Sequence, residues 1–381
     1  MDFLLSEEQK AMQEMAKNFA EKKIAPTMEE DEKHHHFRRE IVKEMANLGF
    51  FSCLAPEKYG GTETGYLTAT VMTEEIARVS PSYGLPFNLQ MNSIQPVLLN
   101  FGTEEQRERW IPKLINADLL GCFAITEPNS GSDVASMKSV AEEKEDCFIL
   151  NGTKMWISGV PVAEIGIVYA YTDRSLKHRG ISAFIVDMKA PGVTQKAIET
   201  KLGLFCAPTG EIVFDNVKLP KDSLVGQKGD GFKICMFMLD NTRLSCAARA
   251  VGVARACKEH SIRYANEREQ FGQPIANFQM IQEQIAEMYV EEEAARLLVY
   301  RAAWNRDRGQ RNTLEISCAK YFAAEVAVRA ANTAVKIFGS YGFSSEYPVE
   351  RFYRDAKSYQ IVEGTSNIQK MIIARNVLGL K

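Results

Sequence analysis

No apolar run in this chain approaches the roughly 18 residues of a membrane-spanning helix, so no membrane span is expected. Neither sign of charge dominates: 46 Lys and Arg against 49 Asp and Glu leave a net charge of −3. That balance argues against a nucleic-acid partner. The 8 cysteines are scattered, with no C-x-x-C pair. The pattern excludes a zinc ribbon and gives no disulfide frame; the thiols read as reduced, buried small hydrophobes of a cytoplasmic protein. Histidine is scarce, 5 in all, and three stand together at His34, His35 and His36. Adjacent residues on a helix point in different directions, so this run makes a poor metal site and reads as a solvated turn. The opening MDFLLSEEQK is acidic and lacks the basic and apolar regions of a secretion signal.

A hydrophobic content of 45% and a charged content of 25% are ordinary for a globular chain, and 381 residues leave room for two or three packed units. The first, residues 1–118, reads helical. Ser6 with Gln9, and Thr103 with Gln106, are capping-box signatures. Met12, Met15, Ala16 and Phe19 recur at the spacing of one buried helix face. Pro26 is expected to close that helical region, and Gly49 to end a second helix.

Residues 119–225 change character. IGIVYAY, ISAFIVDM and EIVFDNVKL read as strands, and Asn151–Gly152 within CFILNGTKMWIS predicts a hairpin turn. From residue 226 to 381 long helical patterns return, one with Ile281, Ile285, Met288 and Glu292 along a side, another from Thr313 to Phe338. The expected fold is α+β: a helical domain, a β domain and a second helical domain.

Four segments are candidates for chemistry. In VEGTSNIQ, the Glu363 carboxylate is followed by Gly364, which permits close backbone approach, and by Thr365 or Ser366 as the cap of a C-terminal helix. The free N–H groups of such a helix start suit a phosphate or polar edge. CFAITEPNSGSD joins a strand to a loop rich in N–H and hydroxyl donors, with neither a dinucleotide fingerprint nor a P-loop. In KMWIS, Trp156 either packs in a core or stacks on a flat ring. In RYANEREQFGQPI, Arg268 either is solvated or pairs with a pyrophosphate. Taken singly, each segment also fits an ordinary loop, core strand or surface helix.

TEPNSGSD, KMWIS, REQFGQPI, YGF–EYPVERFYRDA and EGTSNIQ follow one another in the order and spacing of the acyl-CoA dehydrogenases, and the resemblance spans essentially the whole chain. It implies an N-terminal helical domain, a β-barrel-like middle domain and a C-terminal four-helix bundle. It implies FAD as cofactor, with Phe123, Ile125, Thr126, Trp156 and Ser158 on the flavin side. Arg268, Phe271 and Gln279, with Lys336, Gly339 and Ser340, match positions that reach the FAD of a neighbouring subunit. Relatives often carry a glutamine and two glycines where Lys336, Gly339 and Ser340 stand. Thr365 and Asn367 match polar contacts after the catalytic glutamate; Ser132, Asp240, Arg243 and Gly364 match substrate-side positions.

Glu363 matches the base that removes the substrate α-proton in most of the family. Some branches place that glutamate at the position of Thr242, whose hydroxyl cannot serve as a carboxylate base. The resemblance further implies a homotetramer, a dimer of dimers, that passes electrons to an electron-transferring flavoprotein. SEYPVERFYRDA and VEGTSNIQKMIIAR look close to the branch of glutaryl-CoA and alicyclic acyl-CoA dehydrogenases. Gly84 aligns with the arginine that glutaryl-CoA enzymes use for the distal carboxylate, and Val362 stands where many relatives have tyrosine. Both substitutions favour a short or alicyclic uncharged acyl group, such as cyclohexanecarboxyl-CoA. The alternatives are a glutaryl-CoA dehydrogenase, a carrier-protein-thioester dehydrogenase, or a flavin-binding assembly protein without catalysis.

Overall fold

The computed structural model describes residues 4–380. Its first part is helical, with α1 (Glu7–Phe19), α2 (Met28–His34), α3 (Arg39–Asn47), α4 (Gly65–Val79), α5 (Pro81–Pro86), α6 (Ile94–Phe101) and α7 (Glu104–Ile115). Both capping boxes form: Ser6 and Gln9 exchange hydrogen bonds at the start of α1, and Thr103 and Gln106 at the start of α7. Ala16 and Phe19 are buried, with Met12 and Met15 packed on the same cluster. Pro26 does not stop the chain, contrary to the sequence expectation. It lies in the first turn of a short 3₁₀ segment, Ala25–Thr27, where a missing N–H costs little, and helix resumes at Met28. Gly49 ends the α3 region with φ 78°.

The middle part is built on β1 (Gly121–Ala124), β2 (Val140–Glu143), β3 (Cys147–Ser158), β4 (Ile165–Tyr171), β5 (Ile181–Asp187), β6 (Val193–Ala197), β7 (Thr209–Pro220) and β8 (Leu224–Val225). The strand order is β6-β7-β3-β2-β4-β5-β8, and β1 pairs parallel with β4. Asn151–Gly152 is not a turn, again contrary to expectation. β3 runs through it, paired with β2 on one side and with β7 on the other. The glycine is needed for close approach: a Cβ at Gly152 would stand 2.3 Å from Ser139 Oγ. β4 is buried along its whole length because both faces are covered. Val168 and Ala170 face an inner cluster with Phe148, Phe184 and Phe214, while Ile167 and Tyr169 face Ile234 and Met238 of the next helix.

The last part holds α8 (Gly231–Glu267), the hairpin of β9 (Glu269–Gln270) and β10 (Gln273–Pro274), then α9 (Gln279–Asp307), α10 (Thr313–Phe338), α11 (Val349–Tyr359) and α12 (Ser366–Leu378). Its core is alanine-rich, with Ala247, Ala250, Ala254, Ala323, Ala327 and Ala331 all buried, which lets α8 and α10 approach closely. A buried charge network joins α4, α8 and α9. Glu74 accepts from Arg296 Nη2 at 3.0 Å and from Tyr300 Oη at 3.1 Å. Glu292 pairs with Lys258 and Arg296, so its place among apolar neighbours is balanced by charge. Among the described residues no helix is long and apolar enough to cross a membrane.

Candidate active site

Glu363 lies in the turn between α11 and α12, half-buried, with φ 56°. A left-handed conformation is uncommon for a residue with a side chain and persists only where surroundings enforce it. They do so here. Arg243 Nε donates to the Glu363 carbonyl at 3.1 Å, and Lys320 Nζ donates to the Gly364 carbonyl at 2.7 Å. The buried Gln369 donates to the Glu363 carbonyl at 3.2 Å and to that of Gly364 at 2.9 Å. Glu325 holds the flanks of the turn, accepting from Gln360 at 2.8 Å and Ser366 at 2.7 Å. Gly364, φ 86°, has no room for a side chain: a Cβ would stand 2.9 Å from Gln369 Nε2. Burial lowers the Lys320 pKa, though Nζ keeps its bond to the turn.

Two donors orient the carboxylate. Asn88 Nδ2 donates to Glu363 Oε1 at 2.9 Å, and Thr242 Oγ1 donates to Oε2 at 2.6 Å. Asn88 comes from a π-helical segment, Phe87–Ser93, that follows Pro86 and interrupts the run from α5 to α6. The same segment carries Gln90, whose Oε1 accepts from the Gly121 N–H at 2.8 Å at the start of β1. It therefore ties the Glu363 turn to the strand that carries Phe123. No periodic signal pointed to Asn88; the nearest cue is the proline two residues earlier. Asp240 and Arg243 form an ion pair at 3.0 Å, and Thr313 Oγ1 donates to the other Asp240 oxygen at 2.8 Å.

Phe123, Ile125, Thr126, Trp156 and Ser158 are brought together where β1 meets β3, since the Met155 N–H bonds the Thr126 carbonyl at 2.9 Å. Beneath them the buried Lys154 Nζ donates to the Ile125 carbonyl at 3.0 Å and to Glu127 at 2.9 Å. The Glu127 pKa is lowered: Lys154 and the Ser139 and Lys138 donors outweigh the effect of burial. Trp156 is not a core residue. It is 55% exposed, with φ 62°, at a bulge in β3 opposite β7. An aromatic face held outward beside the half-buried Phe123 suits a flat ring.

Arg268, Phe271 and Gln279 lie at the far end of α8 and the β9–β10 hairpin. Arg268 caps α8, has no carboxylate partner among the described residues, and stands 5.5 Å over the Tyr341 ring. That ring belongs to the turn Gly339–Phe343, so Arg268 comes near Gly339 and Ser340, while Lys336 sits in the last turn of α10. Phe271 is 93% exposed with φ 54°, and Gln279 is the exposed first residue of α9. Ser132 is exposed on the loop after β1, and Thr365 caps α12 by accepting from the Ile368 N–H at 3.3 Å, next to exposed Asn367. The outward Trp156, and Arg268 with no carboxylate partner among the described residues, have the chemistry to take the ring and phosphates of FAD. His34, His35 and His36 form the exposed turn expected, His35 stacking on Phe205. The cysteines are free; Cys318 is half-buried and the rest are buried.

Three family models cover nearly all of the chain: the acyl-CoA dehydrogenase N-terminal domain over residues 6–118, the middle domain over 122–217 and the C-terminal domain over 229–378. A glutaryl-CoA dehydrogenase of Desulfococcus multivorans is 47% identical over 100% of this chain and 99% of its own length. A solved glutaryl-coenzyme A dehydrogenase in complex with glutaryl-CoA superposes with a TM-score of 0.98 at 47% identity, covering 100% of this chain and 98% of the other. A Mycobacterium smegmatis glutaryl-CoA dehydrogenase in complex with FADH2 gives a TM-score of 0.94 at 29% identity, covering 98% and 95%. The chain belongs to the acyl-CoA dehydrogenase family, and is an FAD-dependent oxidoreductase acting on a CH–CH bond.

Proposed function

We propose that Glu363 is the base that removes the α-proton of a short acyl-CoA thioester in an α,β-dehydrogenation that yields the 2-enoyl-CoA. The observation that carries this reading is the strained, pinned turn that presents the Glu363 carboxylate, with Asn88 and Thr242 fixing its two oxygens. When bound, FAD supplies the acceptor for the β-hydride. Phe123, Ile125, Thr126, Trp156 and Ser158 would hold its ring, with Thr365 and Asn367 next to the glutamate. Arg268, Phe271, Gln279, Lys336, Gly339 and Ser340 would hold the FAD of a neighbouring subunit in a tetramer. Ser132, Asp240, Arg243 and Gly364 lie on the substrate side.

The chain's own part is positional and electrostatic. Each Glu363 oxygen keeps a lone pair beyond the one its donor occupies, and the pinned turn fixes the direction in which the carboxylate is presented to the α-proton. Other carboxylates near the site are engaged. Glu127 is held by Lys154 and Ser139, and Asp240 by Arg243 and Thr313. An electron-transferring flavoprotein is the proposed acceptor of the electrons, and the buried thiols favour a cytoplasmic setting. For the acyl group, Val362 and Gly84 favour an uncharged short or alicyclic chain such as cyclohexanecarboxyl-CoA. The 47% identical glutaryl-CoA dehydrogenase favours glutaryl-CoA.

Glu363→Gln tests the assignment. The amide keeps the shape, accepts from Asn88 and can donate to the Thr242 oxygen, so the turn and bound FAD should persist. Flavin bleaching on anaerobic mixing with the best substrate should slow by about 10²–10⁴-fold or more. Bleaching at the wild-type rate with FAD retained would assign the base elsewhere.

A further inference from the structure

Two turns along α8 from Thr242 lies Arg249, one of the largest fully buried side chains in the molecule. Its Nε makes one long hydrogen bond, 3.4 Å, to the Ser245 carbonyl. Among the described residues no carboxylate pairs with it. The Tyr359 ring, 5.7 Å from the guanidinium carbon, offers an electron-rich face but no countercharge. Ser245 Oγ and Tyr359 Oη are buried nearby without hydrogen-bond partners. A buried cation without a counter-ion is costly, and so are buried hydroxyls without partners. An anionic group entering beside Arg249 would supply the missing countercharge.

The elements that hold Glu363 also place Arg249. Asn88 and Thr242 meet at the Glu363 carboxylate. Four residues before Asn88, Gly84 packs against the Arg249 stem: a Cβ there would stand 3.0 Å from both Cγ and Cδ of Arg249. The Gly84–Asn88 segment and α8 thus run alongside each other, with Glu363 at one end and Arg249 at the other. Gly84 removes a side chain from one wall and Arg249 fills that space from the opposite wall, so a glycine at position 84 does not leave the site uncharged.

We propose that Arg249 anchors a carboxylate at the far end of the acyl chain, making the substrate a short dicarboxylic acyl-CoA; this rests on Glu363 being the base. The helix sets the length. Arg249 folds back to the level of Ser245, three residues from Thr242, about 4.5 Å along the axis. That separation suits an acyl chain whose second carboxylate lies two or three carbons beyond the α-carbon, as in glutaryl-CoA. Longer chains overrun the guanidinium, and uncharged chains leave it without a counter-ion.

The test compares glutaryl-CoA with butyryl-CoA on the FAD-loaded protein, by turnover and by affinity. Wild type should show the higher kcat/KM for glutaryl-CoA. Arg249→Met should lower the glutaryl-to-butyryl ratio of kcat/KM by about 10- to 150-fold, the loss typical of a charge-assisted hydrogen bond, and Arg249→Lys should restore part of it. Affinities of both thioesters measured in the Glu363→Gln background, from the flavin absorbance change, should show the same dependence on Arg249. If Glu363→Gln bleaches with substrate, the reading of Glu363 fails, and the glutaryl-to-butyryl ratio of kcat/KM in the Arg249 variants still decides the role of Arg249. A wild-type preference for butyryl-CoA, or a ratio unchanged in both Arg249 variants, overturns the proposal. If Arg249→Met does not fold, the Arg249→Lys ratio against wild type decides.

Discussion

At the scale of single residues, the site is organised by hydrogen bonds that a sequence does not display. Glu363 and Gly364 are conspicuous in EGTSNIQ because a carboxylate beside a glycine and a cap is a readable combination. Asn88 is not, since an asparagine in a mostly apolar stretch carries no pattern, and its partner is 275 positions away. Arg249 was equally hidden, lying mid-helix among alanines. The Asn88 contact has a measurable consequence. In Asn88→Ala, one Glu363 oxygen loses its donor and the carboxylate gains freedom, so kcat should fall by about tenfold, as expected when a reacting group is poorly held. FAD absorbance and the unfolding midpoint should stay near wild type. An unchanged kcat in stopped-flow reduction would show that Thr242 alone orients the base.

Elements were more legible than contacts. Helices α8, α9 and α10 and strands β4, β5 and β7 could be read from apolar periodicity, because each buries a face or both faces. Two misreadings share one cause. Pro26 and Asn151–Gly152 are strong local punctuation, yet one falls in a first helical turn and the other beneath Ser139, where tertiary neighbours decide. Trp156 likewise follows its bulge rather than its hydrophobicity. Where α8 meets the β9–β10 hairpin, Arg268 has no carboxylate partner among the described residues and Phe271 is 93% exposed, which is the basis for placing a neighbouring subunit there. Arg268→Ala should therefore release FAD more readily and weaken assembly together, with a loss of about 1.5–3 kcal/mol in cofactor affinity. Gel filtration and FAD titration check this; a monomer with full FAD and full activity contradicts it.

For the whole molecule, the buried Asp355 makes stability depend on pH. Burial, with Glu32 nearby, raises its pKa from 3.8 to about 7, against the opposing pull of the Leu204 N–H, Arg351 and Arg354. One of its oxygens accepts from the Leu204 N–H at 2.5 Å and the other has no hydrogen-bond partner among the described residues. Because the folded state holds the proton more tightly, its contribution is complete below about 3.8 and is lost as pH rises toward about 7. His260 slopes the other way: burial lowers its pKa from 6.5 to about 4, so its contribution is lost as pH falls through that range. Asp355→Asn isolates the first effect. The difference in unfolding midpoint between variant and wild type should shift in the variant's favour from pH 5 to pH 7.5; a constant difference would mean that Asp355 does not titrate there.

Helix α8 runs for 37 residues, about 55 Å, from the edge of the sheet past Thr242, Arg243 and Arg249 to Arg268. It acts as a ruler whose marks are set by angle as well as distance. One residue inserted between Thr242 and Arg249 would turn everything downstream by about 100° and carry Arg249 away from Gly84. Arg268 would swing with it, away from Tyr341. Seven inserted residues would nearly restore the angle but displace both by about 10 Å. Along α8 an insertion between Thr242 and Arg249 would therefore break a contact that a substitution can leave in place.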